Sequence, residues 1–205
     1  MLGVIGLILS IGAWGLVHSL LASLKAKALA RSWMGPSADR FYRLAYNLFS
    51  VLSLLPAAVL FLILPDRGLY SVPFPWAALM WAGQFLALVL LAIGVLQTGA
   101  FSFVGLSQLG SGGEDFGRLV TTGLYHYVRH PLYFAGLAFL WLSPSMTVNR
   151  LVATAAATAY ILIGAAVEER KLQTLFGSAY REYAARTPMF IPFLKRRNPR
   201  PVHPQ

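Results

Sequence analysis

The chain has 205 residues, of which 57% are hydrophobic and only 12% are charged. Soluble domains carry about twice that charged fraction, so the composition excludes an ordinary soluble domain and favours a helical bundle in lipid. The absence of cysteine excludes disulfides, thiolate metal sites and a cysteine nucleophile, and the four histidines leave a zinc site few ligands. We therefore expect no metal.

The net charge is +10, from 17 Lys and Arg against 7 Asp and Glu. Such a balance is typical of chains that meet nucleic acid or anionic lipid. Here the basic residues cluster between long apolar runs and do not line one face of a soluble helix. We therefore expect contact with membrane lipid and no binding of nucleic acid.

Long apolar runs predict an all-α fold, a polytopic membrane bundle of about five transmembrane helices. A transmembrane helix needs about 20 mostly apolar residues. The predicted spans are Leu2–Leu21, Leu44–Leu64, Trp76–Leu96, Pro131–Ser145 and Leu151–Val167. Between the last two, Ser143, Pro144 and Ser145 predict a tight helical hairpin, because proline interrupts a helix. A count of four, with these two helices as one re-entrant unit, remains open.

The Lys and Arg content of successive loops alternates between high, low, medium, low and high. Positively charged short loops remain in the cytoplasm. We therefore predict an amino terminus outside and a helical carboxyl-terminal tail in the cytoplasm. A cleaved signal peptide is the alternative for the first span, but that span lacks the basic region that precedes the apolar core of such peptides. An uncleaved anchor is the preferred interpretation.

The amino half, residues 1–97, carries few reactive groups, and we interpret it as a three-helix scaffold. Hydrogen bonds to neighbouring helices are the simplest role for the polar side chains inside its spans. These side chains are His18, Ser19, Asn47, Ser50, Ser53, Gln84 and Gln97. For His18, a functional role is the second interpretation.

The segment Gly123–Gly136 reads GLYHYVRHPLYFAG. Pro131 favours the first turn of a helix, and a residue before proline is pushed out of helical geometry, so His130 should lie at a helix start near the membrane surface. Helix amino termini attract anions, but Tyr, His and Arg also collect at headgroup depth without binding a ligand. Composition leaves a ligand site and an interfacial belt equally open. The aromatic and basic neighbours are Tyr125, Tyr127, Arg129 and Tyr133.

The segment Glu168–Tyr183 begins with two adjacent carboxylates at the end of an uncharged span. Acids that point into a bundle at the membrane boundary are costly and suggest a function, whereas weak ion pairs in water are the alternative. Together the two segments predict a pocket at the cytoplasmic mouth of the last helices. An arginine, an imidazole, tyrosines and carboxylates suit a zwitterionic cofactor with a carboxylate, an ammonium group, ribose hydroxyls and a base.

Beyond this segment the tail is compatible with a helix up to Arg186, where Thr187 and Pro188 end it. Apolar residues beside the basic run Lys195–Arg197 predict contact with the headgroup region. Residues 195–205 form a basic, proline-rich tail, and we expect disorder from Asn198 onward.

The run RHPLYFAG at 129–136, followed by EERKL at 168–172 and then by FGSAYREY and TPMFIPF, resembles the membrane methyltransferases related to isoprenylcysteine carboxyl methyltransferase. That superfamily includes phospholipid methyltransferases and a bacterial branch with methanethiol S-methyltransferase. The resemblance extends from Thr121 to Phe193. In the amino half, HSLLAS and YRLAYN resemble the bacterial branch more weakly.

The resemblance implies S-adenosylmethionine as methyl donor, bound on the cytoplasmic side of a bacterial inner membrane, and an acceptor that arrives laterally from the lipid. Residues 98–194 would form the catalytic portion. Arg129, His130 and Glu168 would act in catalysis: Arg129 would place a carboxylate of cofactor or acceptor, and His130 or a glutamate would serve as base for a thiol. The implied cofactor-binding residues are Tyr125, His126, Val128, His130, Pro131, Tyr133, Glu168 and Glu169.

The resemblance to the bacterial branch favours a small or lipophilic acceptor, foremost a thiol or related nucleophile. A phospholipid amine N-methyltransferase is the first alternative. A sterol-type reductase that uses NADPH shares a similar RHPxY ending, but this chain has no additional set of spans. A non-enzymatic membrane scaffold is a further alternative, against which the intact RHPxY and EE elements argue.

Overall fold

The computed structural model describes residues 2–107, 109 and 119–192. It confirms an all-α membrane bundle, joined by one small two-stranded sheet. The helices are α1 Leu2–Ala22, α2 Leu24–Met34, α3 Ser37–Ile63, α4 Trp76–Gln97, α5 Ala100–Val104, α6 Leu124–Tyr127, α7 Pro131–Trp141 and α8 Val148–Arg186; the strands are β1 Gly68–Ser71 and β2 Ser145–Thr147. The basic tail, residues 195–205, with the disorder predicted from Asn198 onward, lies outside the described residues.

Within the described residues, four helices are long and apolar enough to cross a membrane: α1, α3, α4 and α8. Three of them coincide with predicted spans, and α8 contains the fifth. Helix α1 packs against α3 and α8, while α4 packs against α7. Most side chains on the spanning helices remain exposed in the isolated chain, as positions that face lipid do.

The fourth apolar run forms a short helix, since α7 ends at Trp141 and does not reach Ser145. Its 11 residues rise about 16 Å, roughly half of the hydrocarbon thickness of a bilayer. By length alone, α7 is too short to cross a membrane as a regular helix. Its contacts with α4 include the Gln84 amide, which donates to the Phe139 carbonyl at 2.9 Å.

The helical hairpin predicted between the last two helices is present: α7 and α8 run antiparallel, with Trp141 bonded to Thr158 and Tyr133 to Glu168. Its short connection contains a strand that was not predicted, because β2 pairs antiparallel with β1, with Tyr70 opposite Met146 and Ser71 opposite Ser145. The pairing continues on both sides, as Val72 N donates to Pro144 O at 2.8 Å and Val148 N to Arg67 O at 2.9 Å. The physical reason is that Pro144 has a free carbonyl acceptor although it cannot donate, so extended backbone there can join a strand edge.

The first turn of α8 is held from two sides. Thr147 caps the helix through its hydroxyl, which accepts from Arg150 N at 3.2 Å. Asp66 Oδ1 accepts from Asn149 N at 3.0 Å and from Arg67 N at 2.8 Å. These bonds, with that from Asn149 the strongest cause, hold the pKa of Asp66 below its ordinary value. A carboxylate at a helix amino terminus is favourable because free N–H groups point toward it.

The depressed pKa of Asp66 predicts a pH-dependent stability. Because the folded-state pKa lies below the unfolded value, the stabilisation is present above the ordinary aspartate range and is lost as the pH falls through the folded pKa. We expect the melting temperature of detergent-purified Asp66→Asn to lie below that of the unaltered chain near neutral pH. The difference should shrink as the pH falls below about 4. A difference that is independent of pH would exclude this role.

Helix α2 was not predicted, because its basic residues were interpreted as part of the loop between the first two spans. It is amphipathic, with Lys25, Lys27 and Arg31 beside exposed Leu29 and Trp33. Such a helix suits the membrane interface. A signal for it is present in the sequence. Ser23 caps its start, accepting from Ala26 N at 3.2 Å, and Gly35, with a positive φ, follows its end.

Candidate active site

Arg129 and His130 lie between α6 and α7, where the chain leaves one helix and starts the next. Val128 is extended, and His130 has non-helical geometry directly before Pro131 at the first position of α7. This confirms the predicted helix start. The segment is held by the chain that follows α8, since Arg129 N donates to Pro188 O at 2.9 Å and His130 N to Met189 O at 3.1 Å.

Arg129 and Glu169 form a bidentate ion pair. Arg129 Nε donates to Glu169 Oε1 and Arg129 Nη2 to Oε2, each at 2.8 Å. Arg129 Nη1 donates to the carbonyls of Ala184 at 3.0 Å and Thr187 at 2.6 Å. The Arg129 side chain is 1% exposed and that of Glu169 13%. The pair therefore ties α8 and the segment beyond it to the start of α7.

Glu169 Oε1 also accepts hydrogen bonds from two aromatic side chains. His130 Nε2 donates to it at 2.9 Å and the Tyr180 hydroxyl at 2.6 Å. A carboxylate only accepts, so Nε2 of His130 carries a hydrogen. The His130 ring stacks on Tyr133, with centroids 5.3 Å apart, and packs against Phe190 at 5.7 Å. Its orientation is thereby set from both faces.

Glu168 differs from its neighbour in exposure and partners. Its Oε2 accepts from the Tyr133 hydroxyl at 2.8 Å and lies 3.7 Å from His130 Nδ1, beyond hydrogen-bond length. Its side chain is 43% exposed and lines a cavity. Of the two acids, Glu168 is therefore the one that a ligand can reach, while Glu169 is occupied by protein groups.

A fold-back in α8 assembles this cluster. Tyr180 lies 11 residues beyond Glu169, which in a straight helix is about 16 Å along the axis, too far for the two side chains to meet. Gly177 interrupts the helical geometry with φ 55° and ψ −122°, a conformation open essentially to glycine alone. The helix therefore turns there, and Tyr180, Tyr183 and Ala184 return to the start of α7.

The cluster opens into a cavity of about 1920 Å³ that reaches the spanning helices α1, α3 and α8. Its lining includes Tyr125, Arg129, Tyr133, Glu168, Tyr180 and Tyr183. Burial, with the nearby Glu168 carboxylate as the second cause, raises the pKa of Tyr125 to about 12. Tyr125 is thus a neutral phenol at physiological pH. The Tyr183 hydroxyl donates to the Tyr125 carbonyl at 2.5 Å and supports that turn.

The structure brings together Arg129, His130, Tyr133, Glu168 and Glu169 from the predicted set, with Tyr125 on the same cavity. Five predicted residues do not line the cavity: His126, Val128, His130, Pro131 and Glu169. His130 and Glu169 contact the lining residues Tyr133 and Arg129. Val128 and Pro131 are buried, and His126 is exposed with its ring against Tyr127. Because α6 ends at Tyr127, His126 and His130 do not share a helical face although they are four residues apart.

Sequence reasoning assigned no role to Tyr180 and Tyr183, although both lie in the FGSAYREY run. The signal was Gly177, a glycine inside an otherwise helical stretch, which often marks a break. Spacing from Glu169 did not reveal them, because 3.6-residue periodicity holds only along an unbroken helix.

Comparisons with known proteins identify the family of this chain. Residues 76–179 match the family model described as phospholipid methyltransferase. A methanethiol S-methyltransferase of a Pseudomonas species is 31% identical over 83% of this chain and 67% of its own length. Methanethiol S-methyltransferase 1 of Bradyrhizobium diazoefficiens is 45% identical over 37% of this chain, and protein-S-isoprenylcysteine O-methyltransferase B of Arabidopsis thaliana is 34% identical over 40%.

The matches to these last two relatives span 27% and 43% of their own lengths. No solved structure matches the chain. The family model covers half of the chain, and it includes α4, α7 and most of α8. The chain is therefore an integral membrane protein of the phospholipid methyltransferase family, related to the isoprenylcysteine methyltransferases.

Proposed function

We propose that the protein transfers a methyl group from S-adenosylmethionine to a small or lipophilic acceptor, foremost a thiol. The observation that carries the proposal is the accessible Glu168 at the end of a cavity that continues between membrane-spanning helices. A charged donor at one end and an apolar acceptor from the lipid would meet in such a space. The relatives that are named methanethiol S-methyltransferases support the thiol.

The residues on this side of the cavity fit the chemical groups of the donor. Glu168 would accept hydrogen bonds from an ammonium group or ribose hydroxyls. Tyr125 and Tyr133 offer aromatic surface and neutral hydroxyls beside it. Arg129 uses its Nε, both Nη1 donors and one Nη2 donor on protein groups. We therefore assign Arg129, with Glu169, to positioning the site, and His130 to orienting Tyr133 beside Glu168.

The donor supplies a methyl group activated by a positively charged sulfur. The chain's own contribution is to hold donor and acceptor in line and to exclude water. The buried Arg129–Glu169 pair serves the first task by fixing α7 against α8. The apolar walls from α1, α3 and α8 serve the second. The basic α2 beside the cavity supports the proposal that this end faces the cytoplasm, in keeping with the positive-inside rule.

A phospholipid amine is the second candidate acceptor. Besides Arg129 and Arg150, four basic side chains line the same cavity, those of Lys25, Lys27, Arg43 and Lys171. Cations in that position attract an anionic phosphate of a lipid headgroup. The family favours methyl transfer over the nicotinamide-dependent reduction that a sterol-type reductase performs.

Titration of the detergent-purified protein with S-adenosylhomocysteine, with NADPH in parallel, tests the donor. We expect saturable binding of S-adenosylhomocysteine alone. Glu168→Ala should weaken it by about 10- to 100-fold, because a hydrogen bond to a charged group contributes about 1.5–3 kcal/mol. Glu182→Ala, an exposed acid on the same helix, is the matched control and should bind as the unaltered chain does. Binding of NADPH alone would exclude the proposal.

A further inference from the structure

A second polar cluster lies between the spanning helices, away from Glu168. His18 of α1 bonds through Nδ1 to Ser50 Oγ of α3 at 2.9 Å and through Nε2 to the Tyr46 hydroxyl at 2.5 Å. Tyr160 of α8 meets the His18 ring edge-on at 5.9 Å, and its hydroxyl accepts from Ser19 at 3.4 Å. Three helices of the bundle therefore converge on one imidazole.

The hydrogen-bond directions assign the tautomer of His18. Ser50 Oγ donates to the Tyr46 carbonyl at 2.7 Å, so it accepts from His18 Nδ1, which carries the hydrogen. Nε2 then holds a lone pair and accepts from the Tyr46 hydroxyl. Trp14 stacks on the imidazole at 4.8 Å and donates to the Ser50 carbonyl at 2.9 Å, which fixes the ring plane. The arrangement is a phenol bonded to a basic ring nitrogen.

This cluster faces the same cavity as Glu168. The cavity lining includes Trp14, His18, Tyr46 and Tyr160 as well as Tyr133 and Glu168. Tyr160 precedes Glu168 by eight residues on α8, about 12 Å along the helix axis. One continuous space thus holds both the Glu168 carboxylate and the phenol–imidazole pair.

Simple hydrogen bonding between helices is the ordinary role of such side chains. His18 and Tyr46 differ from that pattern because both are only half-buried and line a cavity that a ligand can enter. Ionisable groups at membrane depth are costly and usually serve a function. A hydroxyl–imidazole pair beside a space that can hold a nucleophile is able to accept a proton from it.

We infer that Tyr46 and His18 form the acceptor side of the site and remove the proton of a neutral thiol; the inference rests on the proposed function. The thiol S–H bond breaks and its proton passes to the Tyr46 oxygen, while the Tyr46 proton passes to His18 Nε2. The sulfur forms a bond to the methyl carbon, whose bond to the donor sulfonium breaks, leaving that electron pair on the donor sulfur. The reaction thus moves the positive charge from the donor sulfur to the His18 imidazole. His18 Nδ1 donates its hydrogen bond to Ser50 Oγ throughout.

Two thiols of different acidity test the inference on the full-length, detergent-purified chain. Ethanethiol is neutral near pH 7 and needs a base, whereas 4-nitrothiophenol is already a thiolate. We expect His18→Gln and Tyr46→Phe to lower kcat/KM for ethanethiol by about 100-fold or more, the size of a general-base contribution. Turnover of 4-nitrothiophenol and affinity for S-adenosylhomocysteine should stay near those of the unaltered chain.

Tyr70→Phe makes the same chemical change outside the cavity, where the hydroxyl bonds to Ser143 O, and is the matched control. The pH profile is an independent readout: the defect with ethanethiol should shrink as rising pH ionises the thiol. An equal loss for both thiols, with S-adenosylhomocysteine still bound, would overturn the inference and leave the proposed function standing. Failure of the unaltered chain to bind S-adenosylhomocysteine would overturn the proposed function itself.

Discussion

Glu169→Ala is expected to abolish binding of S-adenosylhomocysteine and to destabilise the protein. Glu169 accepts hydrogen bonds from Arg129, His130 and Tyr180, and its loss leaves a fully buried guanidinium without its counter-charge. Breaking a buried pair on one side typically costs about 3–5 kcal/mol. Thermal unfolding in detergent, followed by intrinsic fluorescence, and ligand titration measure the two effects.

A double variant distinguishes the cost of an unpaired buried charge from the loss of the contacts that position α7. Arg129→Met with Glu169→Leu removes both charges, so the melting temperature should recover much of the loss seen with Glu169→Ala alone. Ligand binding should remain absent, because the side-chain bonds of Arg129 to Glu169, Ala184 and Thr187 are lost and only backbone bonds then hold the start of α7 to the segment beyond α8. Glu182→Ala, an exposed acid with a weak surface partner, serves as the control. Equal melting temperatures for Glu169→Ala and Glu182→Ala would contradict the role of the pair.

Gly177→Ala is expected to disrupt the site from a distance. The backbone there has φ 55° and ψ −122°, which an L side chain adopts only at a cost of about 1–3 kcal/mol. A Cβ at this position meets no atom within 4 Å, so the cost is backbone strain and not a clash. A straighter helix would withdraw Tyr180 from Glu169. We expect affinity for S-adenosylhomocysteine to fall by about 10-fold or more.

Gly6→Ala is the matched control for Gly177→Ala. Gly6 lies in α1 with helical geometry, and a Cβ there also meets no atom within 4 Å. Alanine favours a helix over glycine, so this variant should be as stable as the unaltered chain or slightly more so. Binding of S-adenosylhomocysteine by Gly177→Ala at unchanged affinity would show that the fold-back does not hold the ligand site.

The spanning helices follow from the sequence because hydrophobicity over about 20 residues is a local property. Helices α1, α3 and α4 lie where the apolar runs predict them, and α8 includes the last run. The polar run Ser143–Ser145 also predicts a break after the fourth apolar run, and α7 ends nearby, at Trp141. The strand that follows was not predicted, because its pairing partner, Gly68–Ser71, lies between α3 and α4 and no local pattern shows that partner.

The neighbourhood of Arg129, His130, Tyr133 and the two glutamates was expected from two short motifs. The sequence left the roles of Glu168 and Glu169 undivided, because adjacent residues have the same chemistry. The structure distinguishes them by exposure and partners: Glu169 is enclosed by Arg129, His130 and Tyr180, and Glu168 faces the cavity. The orientation of the chain across the membrane, with its amino terminus outside, stays a prediction.

The sequence by itself determined that this is a helical membrane protein, since composition and apolar run length leave no soluble alternative. It also determined the chemical groups available to the site and the glycine that permits α8 to turn. Only the tertiary structure decided that Tyr180 returns to Glu169, and that His18, Tyr46 and Glu168 face one cavity. Those relations join residues 11 to about 150 positions apart, and contacts at such separations depend on how helices pack and bend.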